Sequence, residues 1–234
     1  MDESLSIKLP YILENLYKID EFYFERSLFV LTNFALRNLC VEKNQSYLKQ
    51  FIKVIYNQVK NINNNYKSIN LMNSLFYFTD NLSERKQQNC VKYLIRLLIN
   101  SKKYEQLVIL DLILKYIGKS KIIYENFQKH INYFGLKVSE KEHIHLKKLE
   151  IIIALTDINN IKEVLDDFKA YSSYPSYSIN RMLVQAIYYI SKKDKELANI
   201  AIEKLIDFLK IKDDHLVSQV IIILRKVIFE VILR

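Results

Sequence analysis

Gly118-Lys119-Ser120 has the residue types that close a nucleotide-binding loop, in which backbone N–H groups and a lysine cradle phosphates. That loop needs a second glycine five residues earlier, where this chain has Ile113. It also follows a strand, whereas Gly118 closes the apolar run from Leu107 to Ile117 as a helix stop would. His143 and His145 are potential metal ligands, but a spacing of two turns the rings about 200° apart around a helix. With no cysteine nearby, and with His130 and His215 distant in sequence, surface histidines are predicted in place of a zinc site. Asp166 with Asp167, and Asp213 with Asp214, have the composition of acid–base pairs. Neighbouring carboxylates face apart on a helix, however, and Asp213 is better placed to cap the last helix. Cys40 and Cys90 have neither metal-clip nor disulfide spacing and read as reduced, small, buried side chains. The expectation is a chain with no catalytic residue, no metal and no cofactor.

Charge is left as the only chemistry. The formal net charge is +9. Lys49, Lys53 and Lys60, then Lys92 and Arg96, recur at one- or two-turn spacings, a pattern that would line one surface of stacked helices and suit anionic headgroups, acidic peptides or nucleic acid. A solvated helix face is the competing reading, favoured by Glu163, Asp166, Asp167, Glu203 and Asp207, which interrupt the stripe further on.

The elements that carry these residues repeat. Helix-length apolar stretches open at about residues 25, 68, 104, 143, 178 and 214, roughly 35 to 43 apart, the period of helical-hairpin repeats. A two-helix unit cannot bury its own apolar face, so units stack. The predicted architecture is all-α, a right-handed α-solenoid of HEAT/armadillo-like hairpins with about 10–12 helices, continuous over 1–234 as one domain. First helices are apolar almost all round, as in Leu28, Val30, Leu31, Phe34 and Leu36, and are expected to be buried between layers. Second helices are more amphipathic, as in Leu48, Phe51, Ile52, Ile55 and Val59. Ser139 with Glu142, and Asn160 with Glu163, have capping-box spacing. Pro175 is predicted to mark a turn between helices ending near Tyr171 and starting near Ser176.

Composition agrees. Two Gly and two Pro leave little material for hairpins or phosphate loops, and 50% hydrophobic residues supply a core along the whole stack. The acidic Met1-Asp2-Glu3-Ser4 start is not that of a secretory signal, and no run approaches a membrane span, so a soluble cytosolic segment with at most peripheral membrane contact is expected. The amphipathic end, Val227-Ile228-Phe229-Glu230-Val231-Ile232-Leu233-Arg234, lacks the polar character of a capping repeat and predicts a fragment of a longer solenoid or a face covered by a partner.

From 143 the chain reads His-Ile-His-Leu-Lys-Lys-Leu-Glu-Ile-Ile-Ile-Ala-Leu and continues through Asn160-Ile161, Val164-Leu165, Phe168 and Tyr171. This stretch resembles the trunk of the β-adaptins, the large β chains of heterotetrameric clathrin-adaptor complexes. Leu146, Lys148, Leu149, Glu150, Ile151, Asn160, Ile161 and Tyr171 match the family's pattern without a gap. Ala186-Ile187 and the run from His215 to Lys226 resemble the following helix groups; upstream, the likeness lies in helix order and length. The chain departs from the family at Tyr188, where a glycine is usual, and after Val227, where a proline is usual.

The resemblance implies a non-enzymatic coat scaffold that packs with a second large chain, a medium chain and a small chain, in the cytoplasm at Golgi, endosomal or coated-vesicle membranes. It falls on the middle of the trunk, so the family's GTPase- and lipid-contacting N-terminal helices, its hinge and its appendage have no implied counterpart here. No functional residue carries over; Lys147, Lys148 and Glu150 are implied to be structural or interface residues. The alternatives are another helical-repeat scaffold, such as a coatomer chain or a nuclear transport receptor, and, less favoured, a nucleic-acid-binding solenoid.

Overall fold

The computed structural model describes residues 8, 11–12, 15–16, 18–40, 45–61, 64–137, 139–172, 176–211 and 213–232. Pro175, the Met1-Asp2-Glu3-Ser4 start and the final Leu233-Arg234 lie outside them. Among the described residues from Glu21 onward, eleven α-helices follow one another: α1 Glu21–Asn38, α2 Gln45–Asn61, α3 Asn65–Phe76, α4 Glu84–Asn100, α5 Lys103–Ile117, α6 Lys121–Gln128, α7 Glu142–Leu155, α8 Ile161–Tyr171, α9 Tyr177–Ser191, α10 Lys195–Phe208 and α11 Asp214–Val227. Among the described residues there is no strand. The six expected openings match the starts of α1, α3, α5, α7, α9 and α11 to within four residues. The all-α, hairpin-stacking fold read from the repeat period is the fold observed.

The chain divides into two compact units, Met1–Ile123 and Tyr124–Arg234. In the first, α1, α3 and α5 pack side by side in series, with α2 against α3 and α4 against α3 and α5. Phe24, Phe51, Phe78 and Tyr116 are fully buried at its centre. The Phe51 and Phe78 rings meet edge to face at 5.5 Å, and those of Phe76 and Tyr116 at 5.4 Å. A buried phenol needs a partner: Tyr116 Oη donates to the Met72 carbonyl at 2.7 Å and ties α5 to α3. Gln87, also buried, donates to the Leu82 carbonyl at 3.1 Å and accepts from Ser120 Oγ at 2.7 Å, which joins two interhelical turns.

In the second unit α9 is central, touching α7, α8, α10 and α11. The C-terminal carbonyls of α7, which lack intrahelical donors, are collected by one side chain. Lys193 Nζ donates to Ile153, to Ala154 at 3.1 Å and to Thr156 at 2.9 Å. Midway along α7, Lys148 is 4% exposed. Its ammonium donates to Glu140 Oε1 and Oε2 at 2.7 and 2.8 Å and to the Gly135 carbonyl at 3.0 Å. Desolvation lowers the Lys148 pKa, and Glu140 opposes that shift. Gly135 sits close against α8: a Cβ there would stand 2.8 Å from Tyr171 Oη and would have to displace that hydroxyl.

Three expectations change. The box at Ser139 does not form, because α7 starts two residues later with Lys141 as its N-cap and Glu140 is drawn to Lys148. Asn160 does occupy the N-cap of α8, but its side chain turns backwards, accepting from Asp157 N at 2.9 Å and donating to the Leu155 carbonyl at 3.0 Å. The α1 run is not buried all round: Leu28 is, whereas Val30 is 63% exposed. The helix stop at Gly118 holds, with φ −78° and ψ −3°, so it uses no left-handed residue. The helix ends on either side of Pro175 also fall as expected, with α8 closing at Tyr171 and Ser176 capping α9.

The two departures from the β-adaptin pattern form one structure. With no proline after Val227, a π-helical turn continues over Ile228–Ile232, and Tyr188 Oη donates to Glu230 Oε2 on that turn at 2.5 Å. Lys192 and Lys226 stand over the Tyr188 ring at 5.3 and 5.7 Å.

Candidate interaction surface

Amphipathic periodicity decides which side of each second helix can meet a partner. In α2, Leu48, Phe51, Ile52, Ile55, Tyr56 and Val59 are buried, which leaves Lys49, Lys53 and Lys60 exposed. In α4, Gln87, Cys90, Val91, Leu94, Ile95 and Leu98 are buried, and Lys92 and Arg96, four apart and therefore neighbours on the surface, are exposed. The sequence of α2 contains no carboxylate, and that of α4 only Glu84 against Arg85, Lys86, Lys92 and Arg96. Among the described residues no carboxylate stands within ion-pair distance of Lys49, Lys53, Lys60, Lys92 or Arg96.

Aromatic rings stand where counter-ions are missing. Lys60 and Lys86 lie over the Tyr56 ring at 5.0 and 5.3 Å, a favourable contact with the ring's negative face. Tyr56 Oη accepts from Asn89 Nδ2 at 2.9 Å, and its ring meets Tyr93 edge-on at 6.3 Å. Beside this pair a cleft of about 340 Å³ opens, lined by Val59, Lys60, Asn65, Ser68, Tyr93, Arg96, Leu97 and Asn100. Burial raises the Tyr93 pKa, while Arg96 pulls it down.

The expected break in the basic stripe is present in the second unit. Lys204 pairs with Asp166, while Asp207 lies 2.7 Å from Lys210 and 3.9 Å from Lys169. The hydrogen bond from Lys210 holds the Asp207 carboxyl below its usual value. Asp167 faces elsewhere, lining a small cavity with Glu163 and Tyr171; desolvation and Glu163 raise its pKa. Asp213 caps α11, accepting from the backbone N–H groups of His215 and Leu216 at 3.0 and 3.1 Å. Asp166 and Asp167 thus face different surroundings, and Asp213 is engaged as a cap.

Lys119 approaches Asp80 at 3.6 Å and the Phe76 ring at 4.8 Å, and Ser120 Oγ accepts from Ile123 N at 3.3 Å, so both residues are occupied locally. His143 is exposed as expected, but His145 is not: it is 3% exposed, with Nε2 2.8 Å from the Lys137 carbonyl. The two imidazoles face apart, and among the described residues no group of three His, Cys, Asp or Glu side chains could hold a metal. Cys90 is buried and its thiol is pushed up to about 12 by desolvation, while Cys40, expected to be buried, is exposed.

The apolar surface of α1 and α3 escaped sequence reasoning. Phe22, Phe29, Val30, Tyr66 and Tyr77 line a hollow of about 670 Å³ with Glu25 and Arg26 among them, and Phe29 is 68% exposed. The available signal, apolarity all around α1, fits a covered outer face as well as it fits core. No helix among the described residues is long and apolar enough to cross a membrane.

The family described as "Adaptin N terminal region" matches residues 11–231. Among curated proteins, the chain is 29% identical over 103 residues to the AP-1 complex subunit beta of Dictyostelium discoideum and 25% identical over the same length to the AP-1 complex subunit beta-1 of Mus musculus and of Homo sapiens. Each alignment covers 44% of this chain and 11% of the relative, so the chain spans about a tenth of the relatives it matches. Among solved structures, the crystal structure of an engineered protein aligns over 94% of this chain and 96% of its own, with a TM-score of 0.53 at 11% identity, a likeness of fold alone.

Proposed function

Because the chain belongs to the adaptin N-terminal-region family, we propose that it is a non-enzymatic scaffold subunit of a clathrin-adaptor-type coat complex in vesicle-mediated protein transport. The family match over 11–231 carries this reading, and the relatives that are beta subunits of AP-1 complexes point to the β position in such a complex. In this role the chain is part of an adaptin trunk. It packs with a second large chain, a medium chain and a small chain, in the cytoplasm at the surface of Golgi, endosomal or coated-vesicle membranes.

Two surfaces of the first unit suit a multi-partner scaffold. Aromatic side chains along α1 and α3 offer the apolar area that subunit interfaces bury, and the basic faces of α2 and α4 suit an anionic partner. The test is affinity purification from the native cell with identification of the co-purifying chains. Medium and small adaptor chains in near-equal amounts are the expected result. Recovery with a nuclear transport GTPase and its cargo, or with coatomer chains only, overturns the assignment.

A further inference from the structure

We propose that the cleft between α2 and α4 binds a phosphate-monoester or polyphosphate group, gripped by Lys60 and Arg96 beside Tyr93. The inference goes beyond the scaffold reading and stands without it. Lys60 and Arg96 come from different helices yet line one concavity of about 340 Å³, a volume within the range of small-ligand sites. Neither cation is neutralised by a described carboxylate. Glu105 stands behind Asn65, engaged by Asn65 Nδ2 at 3.3 Å and Lys102 N at 2.8 Å, and does not line the cleft.

Lys60 is also held in place. Its ammonium lies over the Tyr56 ring at 5.0 Å, whose hydroxyl is fixed by Asn89, so less of the Lys60 side-chain freedom is lost when an anion arrives. The guanidinium of Arg96 offers the planar fork that matches a phosphate, and Lys60 adds a point charge. The Asn100 amide supplies a neutral donor on the rim. A dianionic group satisfies both cations within the space available, where a single carboxylate leaves one uncompensated.

Titration calorimetry of the full chain with inorganic tripolyphosphate should show binding that weakens as salt rises. Two double variants separate a site from diffuse charge. Lys60→Gln with Arg96→Gln should lower the affinity on the order of tenfold or more, because both charge-assisted contacts are lost. Lys49→Gln with Lys53→Gln removes the same charge from the same surface outside the cleft, and should change it by less than about twofold. Phosphatidylcholine vesicles doped with phosphatidic acid, compared with charge-matched phosphatidylserine vesicles, distinguish the sources. Preference for phosphatidic acid assigns the group to a lipid headgroup, and tripolyphosphate binding alone assigns it to a free polyphosphate. Equal losses in the two double variants, or no binding at low salt while the far-UV circular dichroism stays native, overturn the proposal.

Discussion

The second helices of the two units occupy the same place in their hairpins and use charge in opposite ways. On α8 and α10, lysines and aspartates are matched across the helices, Lys204 to Asp166 and Lys169 to Asp207. On α2 and α4, Lys60 and Lys86 lie over the Tyr56 ring, and among the described residues no carboxylate pairs with the exposed cations. The first unit carries eighteen basic against eleven acidic residues, the second seventeen against fifteen. Burial periodicity builds either helix equally well, so it fixes the fold and leaves the exposed face free to be neutralised internally or offered to a partner.

The interiors differ too, and this contrast can be broken first where the effect is largest. Glu140→Ala strands the Lys148 ammonium among carbonyls in a nearly closed site, and should cost about 3 to 5 kcal/mol in chemical denaturation; a loss under about 1 kcal/mol means water already serves that lysine. Folding lowers the Lys148 pKa, so the unfolded chain binds the extra proton, and this residue's contribution should grow as pH climbs toward the ordinary lysine value.

The first unit has the opposite alkaline response. Cys90 is raised from 9.0 to about 12 by burial. The unfolded thiol ionises first, so the stability that Cys90 contributes is complete below about pH 9 and lost through the interval up to about 12. Tyr116, raised well above 10.0 by desolvation, acts in the same sense. Cys90→Ala should lower stability at neutral pH yet flatten the decline above pH 9; a slope equal to that of the parent removes Cys90 from the account.

Smaller effects sharpen the comparison. Tyr116→Phe deletes a neutral hydrogen bond to the Met72 carbonyl and should cost about 1 kcal/mol, well below the charged clamp of the second unit. Lys204→Gln, on the surface pair with Asp166, should change stability by less than about 1 kcal/mol and lose even that effect in high salt. A larger, salt-insensitive change would show that the matched charges on α8 and α10 are structural.

Repeat spacing placed the helices because burial periodicity is a property of the chain alone, and it located the stops at Gly118 and before Ser176. What it could not place depends on neighbours distant in sequence. His145 is buried because the Lys137 carbonyl folds back onto it. The Ser139–Glu142 box does not form because the helix starts from Lys141 instead, and neighbouring Glu140 is held by Lys148, nearly two turns inside α7. Val30 and Ile109 read alike in apolar runs, yet one is 63% exposed and the other 0%: among the described residues α5 packs against both α3 and α4, whereas α1 packs against α3. The basic residues of the candidate surface could be named from their spacing; the concavity between Lys60 and Arg96 could not, since it arises where two hairpins meet.

Both cysteines lie in the first unit, one exposed and one enclosed. A maleimide therefore labels Cys40 at once and reaches Cys90 only when the surrounding helices part. The delay before the second label, followed across a denaturant series, times the breathing of Met1–Ile123 with Tyr124–Arg234 silent. An engineered probe is unnecessary, because nature has installed a clock in one half of the chain.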